Sequence, residues 1–184
     1  MRHPETKPRK PLELSEVAPL FLEIEIKLQH PTPEDGAAVN QLIADCPPLD
    51  TNSVYCNLLQ CSHFAETAIV AKAGDSVVGF TSGYRVPARP DVLFVWQVAV
   101  SKQARGQGLA SRLLQAQLDA AACKDVRFIE TTITKDNDAS RALFRAFAEK
   151  NGGTVAECAH FDKITHFNGQ HDSEFLIRIG PFSH

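Results

Sequence analysis

The chain has 184 residues, 43% of them hydrophobic and 22% charged, which fits one soluble globular domain able to bury about 70% of its unfolded surface. Nineteen basic residues against 22 acidic ones leave a net charge of −3, which tilts away from a nucleic-acid partner, and no stretch approaches the ~18 apolar residues of a membrane span. A membrane protein, a disordered chain and a secreted mini-protein are excluded.

Residues 1–19 read as a mobile tail, because Pro4, Pro8, Pro11 and Pro19 deny them a helix, and residues 20–184 read as one domain. The start carries charge and proline but no apolar h-region, so no secretory signal is expected and the expected compartment is the cytoplasm. Over residues 21–28, Leu22, Ile24, Ile26 and Leu28 alternate with charges, the period of a half-buried strand. Thr32-Pro33-Glu34-Asp35 opens a helix, with Thr32 as N-cap, Pro33 in the first turn and acids at the positive end of the dipole. Val39, Leu42 and Ile43 form its apolar face, and Cys46-Pro47-Pro48 stops it. Residues 50–59 are a loop running into a second short helix.

Three strands are predicted next, at 68–73, 77–86 and 93–100, joined by turns at Ala73-Gly74-Asp75-Ser76 and Pro87-Ala88-Arg89-Pro90. The third is apolar on both faces, as a central strand should be. A glycine-bearing turn then leads into a helix with Leu109, Leu113, Leu114, Leu118, Ala121 and Ala122 on one stripe. A strand at 128–134 follows, then a helix at 138–150 stopped by Asn151-Gly152-Gly153. Two last strands, at 155–161 and 174–179, flank a polar loop. In the final strand Phe175, Ile177 and Ile179 point one way and Glu174, Leu176 and Arg178 the other. The order β-α-α-β-β-β-α-β-α-β-β is an α/β domain with a mixed sheet, and its central βαβ unit requires one parallel pair.

Five cysteines (Cys46, Cys56, Cys61, Cys123, Cys158) make an odd count with no CxxC pair and read as free thiols in a reducing compartment. Cys61-x-His63 has no second half at ligand spacing. His160, His166 and His171 with Asp162 and Asp172 read as solvated groups of a polar loop, so no metal is expected.

The richest segment is residues 98–110, where a buried strand ends and a glycine loop opens onto an amphipathic helix. Gly106 and Gly108 permit positive φ and close backbone approach, and the free N–H groups of the first helical turn form an anion site. Each such charge–dipole contact is worth roughly 0.3–1 kcal/mol. The spacing matches neither G-x-G-x-x-G nor G-x-x-x-x-G-K-[ST], so physics alone leaves phosphate binding and an ordinary strand–helix turn both open.

Gln103-x-x-Gly106-x-Gly108 after a buried strand resembles the [QR]-x-x-G-x-[GA] motif of the GNAT acetyltransferase superfamily. Asn137-Asp138-Ala139-Ser140-Arg141-Ala142-Leu143-Phe144 resembles that family's N-x-x-[AS]-x-x-[LF]-[YF] motif. The resemblance implies a GNAT fold: a mixed, mostly antiparallel central sheet with a splayed parallel strand pair and flanking helices. It implies acetyl-CoA as co-substrate. Its pyrophosphate would lie on the loop of Gln103, Arg105, Gly106, Gln107, Gly108, Leu109 and Ala110, and its pantetheine along Gln97, Val98, Ala99 and Val100. Asn137 and Phe144 would complete that site, and Asn137 also reads as a helix N-cap. Many members carry tyrosine where this chain has Phe144, so only Tyr55 or Tyr84 can supply a phenolic acid. Otherwise CoA leaves as a thiolate, with a pKa near ~8.5, and water protonates it.

A primary amine of pKa ~10.4 is only about one part in 10^3.4 neutral at pH 7, a handicap of ~4.6 kcal/mol. The acceptor site therefore needs carboxylates or aromatics to hold the ammonium, and a base or water chain to take its proton. Candidates are Trp96 and the early-loop residues Asp50, Asn52, Tyr55 and Asn57. Core packing for Trp96 and helix capping for Asp50 or Ser53 are the plain alternatives. Glu174 with His171 nearby would orient or deprotonate the amine, against the alternative of a solvated strand end.

Leu49-Asp50-Thr51-Asn52-Ser53-x-Tyr55-x-Asn57-Leu58-Leu59, His63-Phe64, the Trp96 strand and His171-x-x-Glu174-x-Leu176 extend the resemblance from about Leu22 to Ile179. Together they are similar to the diaminobutyrate acetyltransferases of ectoine biosynthesis. That resemblance implies acetyl transfer from acetyl-CoA to the γ-amine of L-2,4-diaminobutyrate, giving N-γ-acetyl-diaminobutyrate, and it implies a homodimer. Catalysis is then expected from Glu174, His171 and Tyr55, and substrate binding from Asp50, Asn52, Asn57, Trp96 and Arg85. Arg85, Asn52 and Asn57 answer the need of a carboxylate-bearing substrate for a cation or donors. The alternatives are a GNAT enzyme for another small amine such as a polyamine, and a non-catalytic acetyl-CoA-binding module.

Overall fold

The computed structural model of the chain describes residues 25–182. The expected tail at 1–19 and the strand positions Leu22 and Ile24 lie outside the described residues. The elements are β1 (Ile26–Gln29), α1 (Gly36–Ala44), α2 (Val54–Gln60), β2 (Ile69–Ala73), β3 (Ser76–Val86), β4 (Arg89–Val100), α3 (Leu109–Leu118), β5 (Phe128–Thr134), α4 (Asp138–Lys150), β6 (Thr154–Phe161) and β7 (Glu174–Gly180). They form one seven-stranded sheet in the order β1-β2-β3-β4-β5-β7-β6. Every neighbouring pair is antiparallel except β4–β5, the parallel pair that the βαβ unit requires. No helix among the described residues is long and apolar enough to cross a membrane.

Helices cover both faces of the sheet. On one side α3 and α4 bury Leu114, Leu118, Phe144 and Phe147 against Leu93, Val95, Ile129, Ile177 and Ile179. On the other, Val39, Leu42 and Ile43 of α1 meet Val70, Phe80 and Ala99. Each such side chain, fully buried, contributes about 1.5–3 kcal/mol. The strand alternation in β7 places Ile177 and Ile179 in the α4-side core and leaves Glu174 and Leu176 facing a cavity on the α1 side.

Apart from strand ends shifted by one residue and β1, which runs Ile26–Gln29, three boundaries differ from the sequence expectation. Pro33–Asp35 form a 3-10 turn, so α1 begins only at Gly36, while Thr32 N–H donates to Asp35 Oδ2 at 3.0 Å. α3 ends at Leu118, because Ala120 adopts an extended conformation and turns the chain so that Cys123 and Val126 enter the core. Ala121 and Ala122 therefore belong to a 3-10 turn and not to the helical stripe. β4 begins at Arg89, which pairs with Val86 across a two-residue Pro87-Ala88 turn.

The irregularity that positions the site lies in β4. The β3–β4 register runs Ser82↔Gln97 and then Gly83↔Val95, leaving Trp96 as an extra residue opposite no partner. Such a bulge bends and twists its strand. On its other side β4 pairs with β5 only at Val92↔Phe128, Leu93↔Ile129 and Phe94↔Glu130. Beyond those three pairs the two strands separate, which is the splay implied by the GNAT resemblance.

Candidate active site

At the end of β4 the chain is anchored by Ser101 N–H to Val78 O at 2.9 Å and makes a 3-10 turn at Lys102–Ala104. Gly106 (φ 76°) and Gly108 (φ 70°) then adopt left-handed conformations that a residue with a Cβ rarely tolerates. Arg105 Nε donates to Val100 O at 3.0 Å, which folds the loop back on the strand. The first intrahelical bond of α3 is Arg112 N–H to Gly108 O, so the amides of Leu109, Ala110 and Ser111 have no partner within the helix. These donors and the glycine loop sit beside the open side of β4, the arrangement that accepts a phosphate.

Across the splay, Asn137 caps α4, its Oδ1 accepting from Ser140 N–H at 3.1 Å, and it also lines the cavity. Phe144 is 3% exposed in the α4-side core.

The cavity on the α1 side, about 480 Å³, runs from the mouth of the splay down the sheet. Its upper rim carries Asp50, His171 and Glu174, with one ligating atom of each within 4.8 Å of the others. His171 Nε2 lies 3.3 Å from Asp50 Oδ2, and its Nδ1 lies 2.8 Å from Asp172 O. Both ring nitrogens thus face acceptors. The Asp172 carbonyl first, then the Asp50 and Glu174 carboxylates, outweigh burial and raise the His171 pKa above its ordinary value. One wall is aromatic: Trp96 stands edge-on to Tyr84 at 6.5 Å, and Tyr84 lies 5.4 Å from Phe94.

Amides hold the Asp50 loop against β4. Gln97 donates from Nε2 to Asp50 O at 3.0 Å and accepts from Asn52 Nδ2 at 2.8 Å. Asn40 on α1 donates to both Asn52 O (2.9 Å) and Asn57 Oδ1 (2.8 Å), and Asn57 donates to Gln60 Oε1 at 3.0 Å.

The lower end of the cavity holds Arg89 and Glu130. Glu130, 2% exposed, accepts a bidentate pair from Arg89 (2.5 and 2.8 Å) and a third bond from Arg178 (2.7 Å). Burial pushes the Glu130 carboxyl up, but the two guanidiniums outweigh it and hold the group below the ordinary carboxylate range. Arg178 in turn lies 3.9 Å above the Phe128 ring.

Three comparisons bear on this geometry. Residues 37–148 match the model of the acetyltransferase (GNAT) family. The L-2,4-diaminobutyric acid acetyltransferase of Methylotuvimicrobium alcaliphilum is 57% identical over 85% of this chain and 91% of its own. The Bordetella parapertussis enzyme of the same name is 48% identical over 85% of each chain. The diaminobutyrate acetyltransferase EctA of Paenibacillus lautus, solved with its substrate L-2,4-diaminobutyric acid and coenzyme A, superposes with a TM-score of 0.83 at 39% identity, over 88% of this chain and 98% of that one. The chain belongs to the L-2,4-diaminobutyric acid acetyltransferases of the GNAT family.

In this acetyltransferase the residues predicted from sequence divide into those the fold brings together and those it keeps apart. Asp50, Asn52, Trp96, Gln97, Asn137, His171 and Glu174 all line the cavity. Asn57 does not; it is fully buried in the amide run. Tyr55 is 70% exposed on α2 and does not line the cavity either. Arg85 lies on the opposite face of β3, donating to Pro90 O and Ala122 O. Sequence reasoning missed Arg89, read as a turn residue, and Glu130. A lone acid in the β-branched strand Phe128–Thr134 is the available signal for a buried ion pair.

The histidine-rich loop spends its polar groups on itself. Asp162 accepts from Ile164 and Thr165 N–H, Asp172 pairs with Lys163, and His166 Nδ1 accepts from Asp162 N–H. Of the five groups His160, His166, His171, Asp162 and Asp172, only His171 joins the convergent carboxylates.

Proposed function

We propose that this chain transfers the acetyl group of acetyl-CoA to the γ-amine of L-2,4-diaminobutyrate, giving N-γ-acetyl-diaminobutyrate on the route to ectoine. The observation that carries the reading is the convergence of Asp50, His171 and Glu174 beside Trp96 at the mouth of the β4–β5 splay. The pantetheine arm occupies the splay and brings the thioester to that mouth. Asp50 and Glu174 hold the ammonium over the Trp96 ring, where charge and ring quadrupole act together. Glu174, with His171 or a water between, takes the proton. The freed nitrogen lone pair attacks the thioester carbonyl, forming the C–N bond. The adduct's nitrogen gives up its second proton to the Glu174–His171 pair or to water, and as the adduct collapses to the neutral amide the C–S bond breaks and its electron pair leaves on sulfur.

Phe144 has no proton to give. Of the two tyrosines only Tyr84 lines the cavity, so the thiolate, with pKa near ~8.5, is protonated by Tyr84 or by water. Tyr55 has no part in this scheme. A polyamine acetyltransferase is the second reading, and the Arg89 cation inside the cavity counts against it.

A substrate panel followed by CoA release tests the proposal. Diaminobutyrate is expected to exceed putrescine and spermidine by at least ~100-fold in kcat/KM, about 2.7 kcal/mol, and NMR of the product should place the acetyl group on the γ-nitrogen. Equal turnover of putrescine would overturn it. The family resemblance also supports a homodimer in the cytoplasm, built from a catalytic unit at 20–184. β6, exposed along its length and paired among the described residues with β7 alone, leaves a sheet edge for a partner. Sedimentation velocity reads the assembly state.

A further inference from the structure

The ionic cluster at the lower end of the cavity is unbalanced. Glu130 is the one carboxylate ion-paired with the two guanidiniums among the described residues, and Asp91 acts on Arg89 only as a more distant charge, so at contact range the group has more cation than anion. Arg178 stacks on the Phe128 ring and does not line the cavity, whereas Arg89, 44% exposed in its side chain, faces the cavity. The bidentate bond to Glu130 uses NH1 and NH2 once each, leaving further N–H donors of the Arg89 fork unspent. Such a fork, held flat from behind by a buried carboxylate, is matched to a second carboxylate in front.

We infer that Arg89 binds the α-carboxylate of the amino acceptor and fixes which way the diamino acid lies in the cavity. The inference rests on the function proposed above. Glu174 is paired with Thr134 and Glu130 with Phe94 and Arg178, so the acidic rim and the cationic end are four residues apart on β5, roughly 13 Å of strand. Both side chains reach inward from that span, and the gap left is on the order of the length of a four-carbon diamino acid. The cavity is therefore polar end to end: carboxylates take the amine to be acetylated, and a guanidinium takes the acid group at the far end. Glu130 and Arg178 are positioning residues, since they touch Arg89 or its partner and not the acceptor. A polyamine would place its second ammonium near the guanidinium, so the same residue rejects it.

The probe pair is diaminobutyrate and 1,3-diaminopropane, which is the same chain without the carboxylate. In the wild-type protein the ratio of their kcat/KM values is expected to exceed ~100. In R89M the ratio is expected to fall at least ~10-fold through a higher KM for diaminobutyrate, with the KM for acetyl-CoA changed less than ~2-fold. R89K is expected to recover only part of the ratio, because an ammonium lacks the planar fork. If R89M does not fold, R89M/E130Q, which leaves no carboxylate buried beside a lost partner, reads the same ratio. A ratio unchanged within ~2-fold in either folded variant overturns the assignment while leaving the proposed function standing. A wild-type protein inactive on diaminobutyrate removes the function and this inference together.

Discussion

Asp50 and Glu174 approach His171 from two sides, and the chemistry proposed for them differs from structural duty by what their amides would do. E174Q keeps shape and hydrogen bonding but loses the charge and the base. Its kcat/KM for diaminobutyrate is expected to fall ~10²–10⁴-fold, and that of D50N by at least ~10-fold, with acetyl-CoA binding nearly unaffected. Near-normal steady-state turnover in both variants would move the acceptor site elsewhere. His171 supplies an independent check. Its pKa is raised in the folded chain, first by the Asp172 carbonyl and then by the Asp50 and Glu174 carboxylates, so these contacts contribute stability that is fully present below the ordinary imidazole pKa and lost as pH rises through the raised value. An NMR titration of the His171 ring should show that elevation, and D50N should lower it; an unchanged titration in D50N would mean that the 3.3 Å pair is not formed in solution.

At the scale of single elements, the glycine loop and the β4 bulge do separate jobs. G106V forces a β-branched side chain into a left-handed conformation where phosphate is expected, so KM for acetyl-CoA should rise at least ~10-fold, about 1.4 kcal/mol. Unchanged affinity in the folded variant would remove the phosphate reading. Beside the bulge, a Cβ on Gly83 would stand 2.5 Å from Phe94 O and 2.9 Å from Gln117 Nε2. G83A should therefore cost about 1–3 kcal/mol in a denaturant melt, because the backbone of β4 has to shift to admit it.

These elements also show what was legible beforehand. Local signals placed β5 and α4 at their observed bounds, because a short run rich in β-branched residues and an Asn cap are properties of the segment itself. The splay and the proposed acetyl-CoA site follow from a family resemblance carried by two motifs whose spacing is likewise local. Arg89 falls in a segment whose Pro87 and Pro90 read as a turn, which hides it from a search for strand cations; the observed pairing of Val86 with Arg89 puts Tyr84 in the cavity and Arg85 behind it. Asn40 and the amide run from Gln60 to Gln97 join residues up to 57 positions apart through α1, a relation no window of sequence contains.

Across the whole molecule, the cavity draws its walls from the early loop, β3, β4, β5 and β7, so the proposed acceptor site exists only in the folded chain. Its three convergent ligand groups, Asp50, His171 and Glu174, are assigned here to amine chemistry and not to a metal. Prolonged treatment with a strong chelator is therefore expected to leave turnover intact; loss restored by one added divalent ion would reassign them.

The seven strands are in effect two leaves, β1–β4 and β5–β7, stitched by three residue pairs at one end of the seam. A long thin ligand lying in the open length of that seam is a brace as well as a reagent, since it gives both free edges something to bond. Acetyl-CoA at 100 times its Kd should add about 2.7 kcal/mol of stability, which in a chain this size is a Tm rise of roughly 5–10 °C. Amide exchange should slow most along the two lips, residues 95–100 and 131–134, and little at β1 or β6. Product departure then requires the brace to be withdrawn, so the loosening of this seam, more than the chemistry at its mouth, becomes the natural candidate for the step that paces turnover.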